Sequence, residues 1–442
     1  MKFSATTLAA SLGGRLVGAE VEIDGVATNS QELQPGQLFV PLRDKRDGHD
    51  FIGPAVDAGA VAYLTDGATD TKGRGTAIVV TDTALALSEI GRTARKRIAG
   101  HVVGVTGSVG KTTVKDLTSA VFASTFRTQA SHLSFNNEIG LPLTLANADD
   151  DVDVVVAELG ARGFGHIADL CRIAKPTIGI ITRIGMAHTE FFGTLDQVAS
   201  AKAELFESLP STGLAVVNGD DPMSERMSAR TTAEMLSFGT GVNSDVAAHD
   251  VRLNEHAQAA FSLSSPWGSA EVQLAVHGVH QVPNALAALT AALWGGVSIG
   301  DAVQAISQVQ DPPWRMNVTA LGSGIVLVND SYNANPTSME AALHALGAMT
   351  ADRRIAVLGA MTELGPTSPE LHHSIASLAE SLGIVLIPYD TPLYGEAPVW
   401  GLDELTERVG GFQPGDAILV KGSRATSMES VAEMIEQRVG SA

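Results

Sequence analysis

Apolar runs of strand length alternate with helical patterns along most of the chain after residue 100. The runs "HVVGVTG", "VDVVVAEL", "TIGIITRIG" and "GLAVVNGDD" have the length of buried strands, and "KTTVKDLTSAVFAS" and "TLDQVASAKAELFESL" have helical periodicity. Strands and helices in alternation predict a parallel sheet with helical crossovers. An Ala-rich helix, "HQVPNALAALTAALWGGV", follows the last of these strands.

Changes in this pattern divide the chain into three blocks. Residues 1–82 combine a first helix, capped by Ser4, with short strands such as "GQLFVPL" and "AVAYLT". Residues 83–311 hold the alternating strands and helices, and Pro312–Pro313 then stiffen a linker. Residues 312–442 alternate again, in "GIVLVNDSYN", "RRIAVLGAM", "GIVLIPYD" and "DAILVKGSR". We therefore predict an α/β protein of three domains with these boundaries.

The composition is globular and argues against several classes of partner. The 442 residues are 45% hydrophobic and 18% charged, with a formal net charge of -20. An acidic chain is a poor match for nucleic acid or an anionic membrane, both of which require basic surface. We expect no transmembrane helix, since no run of about 20 apolar residues occurs. Cys171 is the only cysteine, and we expect it to lie in a core. A single cysteine allows no intramolecular disulfide, which fits a reducing cytoplasm.

The stretch "VTGSVGKTT" is close to the phosphate-binding pattern G-x-x-x-x-G-K-[ST], but Val105 stands where the first glycine is expected. A buried strand precedes the stretch and a helix begins at Lys111, so backbone N–H groups and the positive helix end would face a phosphate. Lys111 would reach the β- and γ-phosphates, and Thr112 would bind Mg²⁺. A glycine-containing turn without a ligand is the alternative. The predicted cradle comprises Gly107, Ser108, Val109, Gly110, Lys111, Thr112 and Thr113.

Three further side chains are candidates for metal binding. Glu158 ends the strand "VDVVVAEL", beside the phosphate loop, where a carboxylate can hold Mg²⁺; the alternative is an exposed strand end. His188 follows another strand, in "IGMAHTEFFG", and Lys202 lies in the next helix. Alone, His188 and Lys202 are weak candidates, because a single histidine is commonly structural and a helical lysine is commonly solvated.

A polar loop in the third block, "NDSYNANPTSME", is a candidate ligand site. Asp330 ends the strand before it, and Asn333 and Asn335 lie in the turn that leads into a helix. Such a loop is costly for folding and useful for a polar ligand, although a capped turn explains the same residues equally well.

Taken together, these stretches resemble the Mur ligases, the ATP-dependent amide-forming enzymes of peptidoglycan assembly. "TGSVGKTT" is itself the family's form of the loop, and "ELG", "GMAHTEFFGTLDQVASAKAELF", "VNGDD", "HQVPNALAAL", "WRMN" and "VKGSR" match in order over almost the whole chain. Within the family, "NDSYNANPTSMEAAL", "RRIAVLGAMTELG" and "FNNEIGLPLTL" resemble the branch that adds D-alanyl-D-alanine to UDP-N-acetylmuramoyl-tripeptide.

The resemblance implies the roles of the metal and catalytic residues. Thr112 and Glu158 would hold one Mg²⁺, and His188 would bind a second, with a carbamate formed on Lys202. Lys111, Lys202 and His188 would be the catalytic residues. The resemblance also implies a phosphate-loop ATPase-type central domain (83–311) that binds ATP, a UDP-MurNAc-binding first domain (1–82) and a Rossmann-like third domain (312–442).

The remaining ligand contacts are also implied by the resemblance. Asn284 would meet the adenine of ATP, and Arg315 and Asp330 would meet ATP from the linker and the third domain. The substrate residues would be Ser30 for the uridine nucleotide, Asn136 and Asn137 for the muramoyl substrate, and Asn333 and Asn335 in the polar loop.

Several positions depart from the family pattern. Arg183 stands where Asn is usual, Ala360 where Asp is common, and His166 where Glu is frequent. "ATNS", which contains Ser30, replaces a more common Asp-Ser/Thr-Arg. These departures concern substrate contacts rather than the ATP and metal residues.

The implied reaction is ATP-driven amide formation between UDP-MurNAc-tripeptide and D-Ala-D-Ala by a cytoplasmic monomer. Three alternatives remain: a phosphate-loop motor or switch ATPase, a nucleotide-binding scaffold without activity, and another ligase of the same family.

Overall fold

The first block folds around a small mixed sheet. The computed structural model describes residues 1–67, 75–132, 135–185, 194–241 and 243–440. Strand β2 pairs antiparallel with β7, and β7, β6, β5 and β4 are parallel, while β1 and β3 form a separate two-stranded sheet. The elements are β1 (Lys2–Ser4), α1 (Ala5–Ser11), β2 (Arg15–Val17), β3 (Glu22–Asp24), β4 (Val26–Ala27), β5 (Leu38–Phe39), α2 (Ile52–Asp57), β6 (Ala62–Thr65) and β7 (Thr76–Val79). The predicted Ser4 cap is confirmed, because its hydroxyl accepts from Thr7 N.

The central block forms a nine-stranded sheet. Its order is β16-β15-β14-β13-β12-β11-β8-β10-β9, and every pair from β9 to β14 is parallel. The first elements are α3 (Thr83–Arg95), β8 (His101–Thr106), α4 (Lys111–Ala123), β9 (Thr128–Ala130), α5 (Gly140–Ala146), β10 (Val154–Glu158), α6 (His166–Ala174), β11 (Ile178–Ile181) and α7 (Leu195–Glu207). The others are β12 (Leu214–Asn218), α8 (Ser224–Ser228), β13 (Glu234–Gly239), β14 (Val246–Leu253), β15 (Gln258–Ser265), β16 (Gly268–His277), α9 (Gln281–Trp294) and α10 (Ile299–Ile306).

The far edge of this sheet differs from the sequence prediction of a purely parallel sheet. Strands β14, β15 and β16 form an antiparallel meander. Along β15 buried and half-exposed residues alternate, with Ala259, Phe261 and Leu263 facing the core. That alternation is typical of a strand with one buried face and is weaker than the continuous apolar runs of the parallel strands.

The third block forms a second α/β sheet, ordered β17-β18-β21-β19-β20, in which only the β17–β18 pair is antiparallel. Its elements are β17 (Asn317–Ala320), β18 (Val326–Asp330), α11 (Pro336–Ala348), β19 (Arg353–Leu358), α12 (Ser368–Ser381), β20 (Val385–Pro388), α13 (Leu402–Arg408), β21 (Asp416–Lys421) and α14 (Met428–Gly440). The predicted three-domain α/β fold is confirmed, while the exact boundaries stay a prediction. Within the described ranges, no helix has both the length and the apolar character of a membrane span.

The two faces of the central sheet are covered by different sets of helices. Alternate residues of β8 point to opposite faces, so Val103 belongs to an apolar cluster with residues of α4, α9 and α10, whereas Val102 belongs to one with residues of α5, α6 and α7. Cys171 is buried on the second face, as predicted. Residues of the first sheet, such as Leu38 and Ile78, belong to the same apolar cluster as this second face. The first block therefore lies against the second face of the central sheet.

Helix α3 joins the first sheet to the central block. Asp82 caps it by accepting from Ala84 N and Leu85 N at 2.8 and 2.9 Å. The hydroxyl of Thr83, which is 6% exposed, donates to the carbonyl of Pro41 at 2.6 Å. This hydrogen bond connects residues 42 positions apart in the chain and fixes the start of α3 on the first block.

We expect Thr83→Val to lower the free energy of unfolding by about 1–3 kcal/mol, because the buried Pro41 carbonyl would lose its donor without a change in side-chain shape. Urea unfolding measures the change. Thr93→Val on the same helix is the control, since the structure gives the Thr93 hydroxyl no partner among the described residues. Equal losses in the two variants would contradict the assigned role of the Thr83 hydrogen bond.

Candidate active site

The loop after β8 follows a path that requires glycine at two positions. Gly107 has φ 153° and Gly110 has φ 82°, both in the region that favours glycine. A Cβ on Gly107 would collide with the Thr182 hydroxyl, and one on Gly110 would lie 2.7 Å from Asn284 Oδ1. Helix α4 begins at Lys111, as predicted. Gly110 and Asn284 are therefore in direct contact at the start of this helix.

The missing first glycine of the pattern has a structural reason. Val105 is fully buried inside β8, which ends at Thr106. The turn begins only at Gly107. Hydrogen bonds to the segment after β11 hold it: Ser108 N donates to Arg183 O at 2.8 Å, and Ser108 Oγ donates to Gly185 O at 3.0 Å.

Thr112, Glu158 and Asn136 form a hydrogen-bonded group beside the loop. Thr112 Oγ1 donates to Glu158 Oε2 at 2.7 Å, and Asn136 Nδ2 donates to Glu158 Oε1 at 2.8 Å. Glu158 is 2% exposed, which excludes the alternative of an exposed strand-end carboxylate. Each carboxylate oxygen keeps a lone pair beyond these bonds, so the group can still accept a hard cation.

Arg315 reaches the same group from the linker. Its Nη2 donates to Thr112 Oγ1 at 2.9 Å, and its guanidinium lies over the ring of Tyr332, 4.1 Å from the centroid. The Thr112 hydroxyl thus donates one hydrogen bond and accepts another, which leaves it one lone pair. Arg315 is therefore brought to the phosphate loop, as the sequence prediction requires.

Two lysines lie at the centre of the site with lowered pKa values. Lys111 Nζ donates to the carbonyls of Gly107 and Ser108 at 2.8 and 3.3 Å. Burial lowers the pKa of Lys111, Glu158 opposes this shift, and Arg315 adds to it. Lys202, on α7, is 3% exposed, and burial followed by the charge of Lys111 lowers its pKa well below the ordinary value.

One predicted metal ligand cannot be placed. His188 lies outside the described residues. Among the residues that are described, no group of three or more His, Cys, Asp or Glu side chains is arranged to hold a metal ion. The predicted second ion depends on His188 and a modified Lys202, so its site stays a prediction.

A cavity of about 850 Å³ opens over the loop, between the carboxyl ends of the central strands and the third block. Its wall includes the predicted residues Ser108, Val109, Gly110, Lys111, Thr112, Thr113, Asn136, Asn137, Glu158, Lys202, Asn284, Arg315, Asp330, Asn333 and Asn335. Gly107 and Ser30 are not among the residues of this wall, and Ser30 lies in the first block after β4.

The charge of the cavity wall is opposite in sign to that of the chain. Although the chain has a net charge of -20, the described wall has more basic than acidic residues. The basic ones are Lys111, Arg162, Arg183, Lys202, Arg315, Lys421 and Arg424, and the acidic ones are Glu138, Glu158, Asp330 and Glu363. Arg183 and His166, two of the positions that depart from the family pattern, both line the cavity. The wall is suited to anionic ligands.

Several predicted ligand residues already have structural partners. Asn137 Oδ1 accepts from Gly140 N at 2.9 Å, and Asn335 forms a capping box with Ser338 at the start of α11. The capped-turn alternative therefore describes Asn335, although its side chain also faces the cavity. Asp330 accepts from Met316 N at 3.1 Å and from Lys421 Nζ at 2.6 Å.

Sequence reasoning missed two cavity residues that contribute to this site, the buried Lys421 and the half-buried His280. Lys421, which is 2% exposed, donates to Asp330 and to the Asn333 carbonyl, the latter at 2.8 Å. Its position at the end of the apolar run "DAILVK" was the available signal. His280 lies near the same pair, and burial lowers its pKa to about 4. No pattern around His280 distinguishes it from a structural histidine.

Comparisons with known proteins match most of the chain to one family. Residues 105–292 match the Mur ligase middle domain, and residues 314–424 match the Mur ligase glutamate ligase domain. The chain is 34% identical to UDP-N-acetylmuramoyl-tripeptide--D-alanyl-D-alanine ligase of Escherichia coli K12, with 96% of each chain covered.

Two solved structures are similar to this chain over nearly its whole length. The crystal structure I of MurF from Acinetobacter baumannii superposes with a TM-score of 0.88 at 30% identity, with 99% of each chain covered. MurF ligase of Thermotoga maritima in complex with ADP superposes with a TM-score of 0.81 at 28% identity, covering 94% of this chain and 97% of that one.

The lowered pKa of Lys202 makes stability depend on pH. The folded chain binds a proton at this amine less readily than the unfolded chain does, so stability falls as the pH drops below the ordinary value of 10.5. We expect Lys202→Met to be more stable than the parent at pH 7 in CO₂-free buffer, with the difference shrinking towards pH 10.5. Urea midpoints at pH 7 and pH 10 measure this.

The exposed Lys45 provides the matched control for this prediction. Lys45→Met should have the same small effect at both pH values, because an exposed ammonium is not desolvated. A stabilisation by Lys202→Met that is equal at the two pH values would contradict the buried neutral amine.

Proposed function

The chain belongs to the Mur ligase family, and from this premise we propose how its residues carry out the family's ligation. The enzyme is an ATP-dependent, ADP-forming ligase that joins D-alanyl-D-alanine to UDP-N-acetylmuramoyl-tripeptide. The product is the UDP-MurNAc-pentapeptide used in peptidoglycan synthesis. The observation that carries the assignment of roles is the convergence of the phosphate loop, Glu158, Lys202 and Arg315 on one basic cavity.

The nucleotide would lie along the start of α4. We assign the triphosphate to the backbone of residues 107–113 and to Lys111, and the adenine to Asn284. Contact between Asn284 and Gly110 supports this assignment. Arg315 and Asp330 would contact ATP from the linker and the third block; the bond from Arg315 to Thr112 supports this, as does the place of Asp330 in the cavity wall.

Thr112 and Glu158 fit a magnesium ion. Their hydroxyl and carboxylate oxygens are the hard ligands that Mg²⁺ prefers, they lie 2.7 Å apart, and each retains lone pairs. When bound, the ion would neutralise phosphate charge and so favour attack by an anionic nucleophile. A second ion, held by His188 and a modified Lys202, remains part of the proposal.

The buried amine of Lys202 is suited to carbamylation. Its lowered pKa favours the neutral amine, which is the form that attacks CO₂. A bond forms between Nζ and the carbon, one proton leaves the nitrogen, and a carbamate anion results. This anion would lie near the ammonium of Lys111 and would replace a desolvated base with an oxygen ligand.

The ligation would proceed in two steps. The terminal carboxylate of the tripeptide attacks the γ-phosphorus, the bond to the β-phosphate bridging oxygen breaks, and ADP leaves. The amine of D-Ala-D-Ala then attacks the acyl phosphate carbonyl, loses a proton, and expels inorganic phosphate. Lys111 and Arg315 would stabilise the negative charge on the transferred group.

The substrates would enter over the central block. We propose that Asn136 and Asn137 contact the muramoyl substrate and that Ser30, in the first block, contacts the uridine nucleotide. Asn333 and Asn335, in the polar loop of the third block, would also contact substrate. The four asparagines line the cavity, which supports their part of the proposal. We further propose a cytoplasmic monomer, because one chain supplies all of these residues and ATP is an intracellular substrate.

The coupling of ATP cleavage to amide formation can be tested directly. With ATP, Mg²⁺ and UDP-MurNAc-tripeptide, we expect rapid phosphate release only when D-Ala-D-Ala is added, because the acyl phosphate is protected from water until an amine arrives. A colorimetric phosphate assay with and without the dipeptide measures this. Release at the same rate in both conditions would identify a hydrolase rather than a ligase.

Carbamylation has its own test. Lys202→Ala should lower kcat by about 100-fold or more, and short carboxylic acids such as acetate should restore part of the activity by filling the space with an oxygen ligand. Lys45→Ala is the control and should be unaffected by acetate. Full activity of Lys202→Ala without rescue would refute the carbamate.

A further inference from the structure

The linker between the central and third blocks is held at both of its ends. At the first end, Asp311 is bound to His277, the last residue of β16. At the second end, Tyr332 N donates to Trp314 O at 3.0 Å and Met316 N donates to Asp330. Only the Pro312–Pro313 pair lies between the two attachments, and the proline rings fix φ there.

The contact at the first end is buried and involves both the side chain and the backbone. His277 Nδ1 lies 2.5 Å from Asp311 Oδ2, and His277 N donates to the same carboxylate at 3.2 and 3.4 Å. The side chain of Asp311 is 3% exposed and that of His277 is 14% exposed. Burial raises the pKa of Asp311 and the contact with His277 opposes that rise, so the carboxylate depends on this partner.

The second end turns sharply around Arg315. Trp314 has φ 62° and Met316 has φ 51°, a conformation that non-glycine residues adopt only when their surroundings impose it. Arg315 N also donates to Pro312 O at 3.1 Å, which closes a tight turn. A chain with so few free torsions transmits a displacement of Asp311 directly to the Arg315 backbone.

We infer that the His277–Asp311 pair is a positioning device that sets where the Arg315 guanidinium meets the phosphate loop. The pair itself touches neither the loop nor Thr112; it acts through the short linker. The inference rests on the proposed function in one respect, namely that Arg315 contacts the bound nucleotide. A purely structural pair would stabilise the fold without any specific effect on Arg315.

A double-mutant cycle between Asp311 and Arg315 separates these two roles. Calorimetric titration with Mg²⁺ and a non-hydrolysable ATP analogue measures the affinity of the parent, Asp311→Asn, Arg315→Gln and the double variant. We expect Asp311→Asn to weaken binding by roughly tenfold, because a small misplacement of a phosphate-binding cation is costly. In the Arg315→Gln background the same change should have less than about a twofold effect.

Asp416→Asn is the matched control. Asp416 is also a buried carboxylate, 1% exposed at its side chain, and its partner is Arg353 within the third block. Its loss should lower the unfolding midpoint but leave affinity unchanged in both backgrounds. His277→Ala should reproduce part of the coupling of Asp311→Asn, since it removes the imidazole contact and leaves only the backbone donor at residue 277.

Two results would overturn the inference: an equal loss of affinity by Asp311→Asn in both backgrounds, or parent-like affinity of Arg315→Gln. Because binding is measured without turnover, these results are independent of ligation. Preserved coupling in a chain that shows no dipeptide-dependent phosphate release would count against the proposed function alone.

Discussion

The hydrogen bond between Thr112 and Glu158 is the contact around which the rest of the site is arranged. It joins the first turn of α4, the helix that follows β8, to the end of β10, the strand that pairs with β8 in the parallel sheet. Asn136 fixes the other carboxylate oxygen, and Arg315 reaches the same hydroxyl from the linker. Four separate segments of the chain are therefore connected through the side chains of Thr112 and Glu158. The hydrogen bonds fix the two side chains, and because each oxygen retains a free lone pair, the group can still bind a cation.

The buried lysines of the cavity lower the stability of the folded chain. Burial of Lys111 and Lys202 lowers the pKa of both, so the folded chain without ligand holds desolvated amines at some expense of stability. An anionic triphosphate would reverse this effect for Lys111, since an opposite charge favours the ammonium. A carbamate on Lys202 would also favour the ammonium form of Lys111, because it places a negative charge of the protein itself near that side chain. The basic wall on an acidic chain is thus a local arrangement that nucleotide and carboxylate substrates complete.

Much of the fold and the phosphate loop could be predicted from the sequence, because strong local signals specify them. Continuous apolar runs marked the parallel strands, and Gly107, Gly110 and Lys111 marked the turn and the helix start. The β14–β16 meander was missed, because strands with one exposed face carry a weaker pattern than fully buried ones. Burial of Lys202 and the pairing of Lys421 with Asp330 could not be predicted, because both depend on which distant elements pack together. The family resemblance supplied Lys202 as a candidate where spacing alone did not.

Hydrogen bonds within the protein explain how the site can exist without its ligands. Lys111 donates to the carbonyls of its own loop, and Arg315 donates to Thr112, so both cations have partners before a phosphate arrives. Binding would exchange these neutral acceptors for charged oxygens, and hydrogen bonds to charged groups are the stronger kind. The number of hydrogen bonds need not rise for the exchange to be favourable. A site that pairs its own donors in this way avoids unpaired buried groups. Its internal hydrogen bonds are replaced only by a ligand that offers more negative charge than a carbonyl or a hydroxyl.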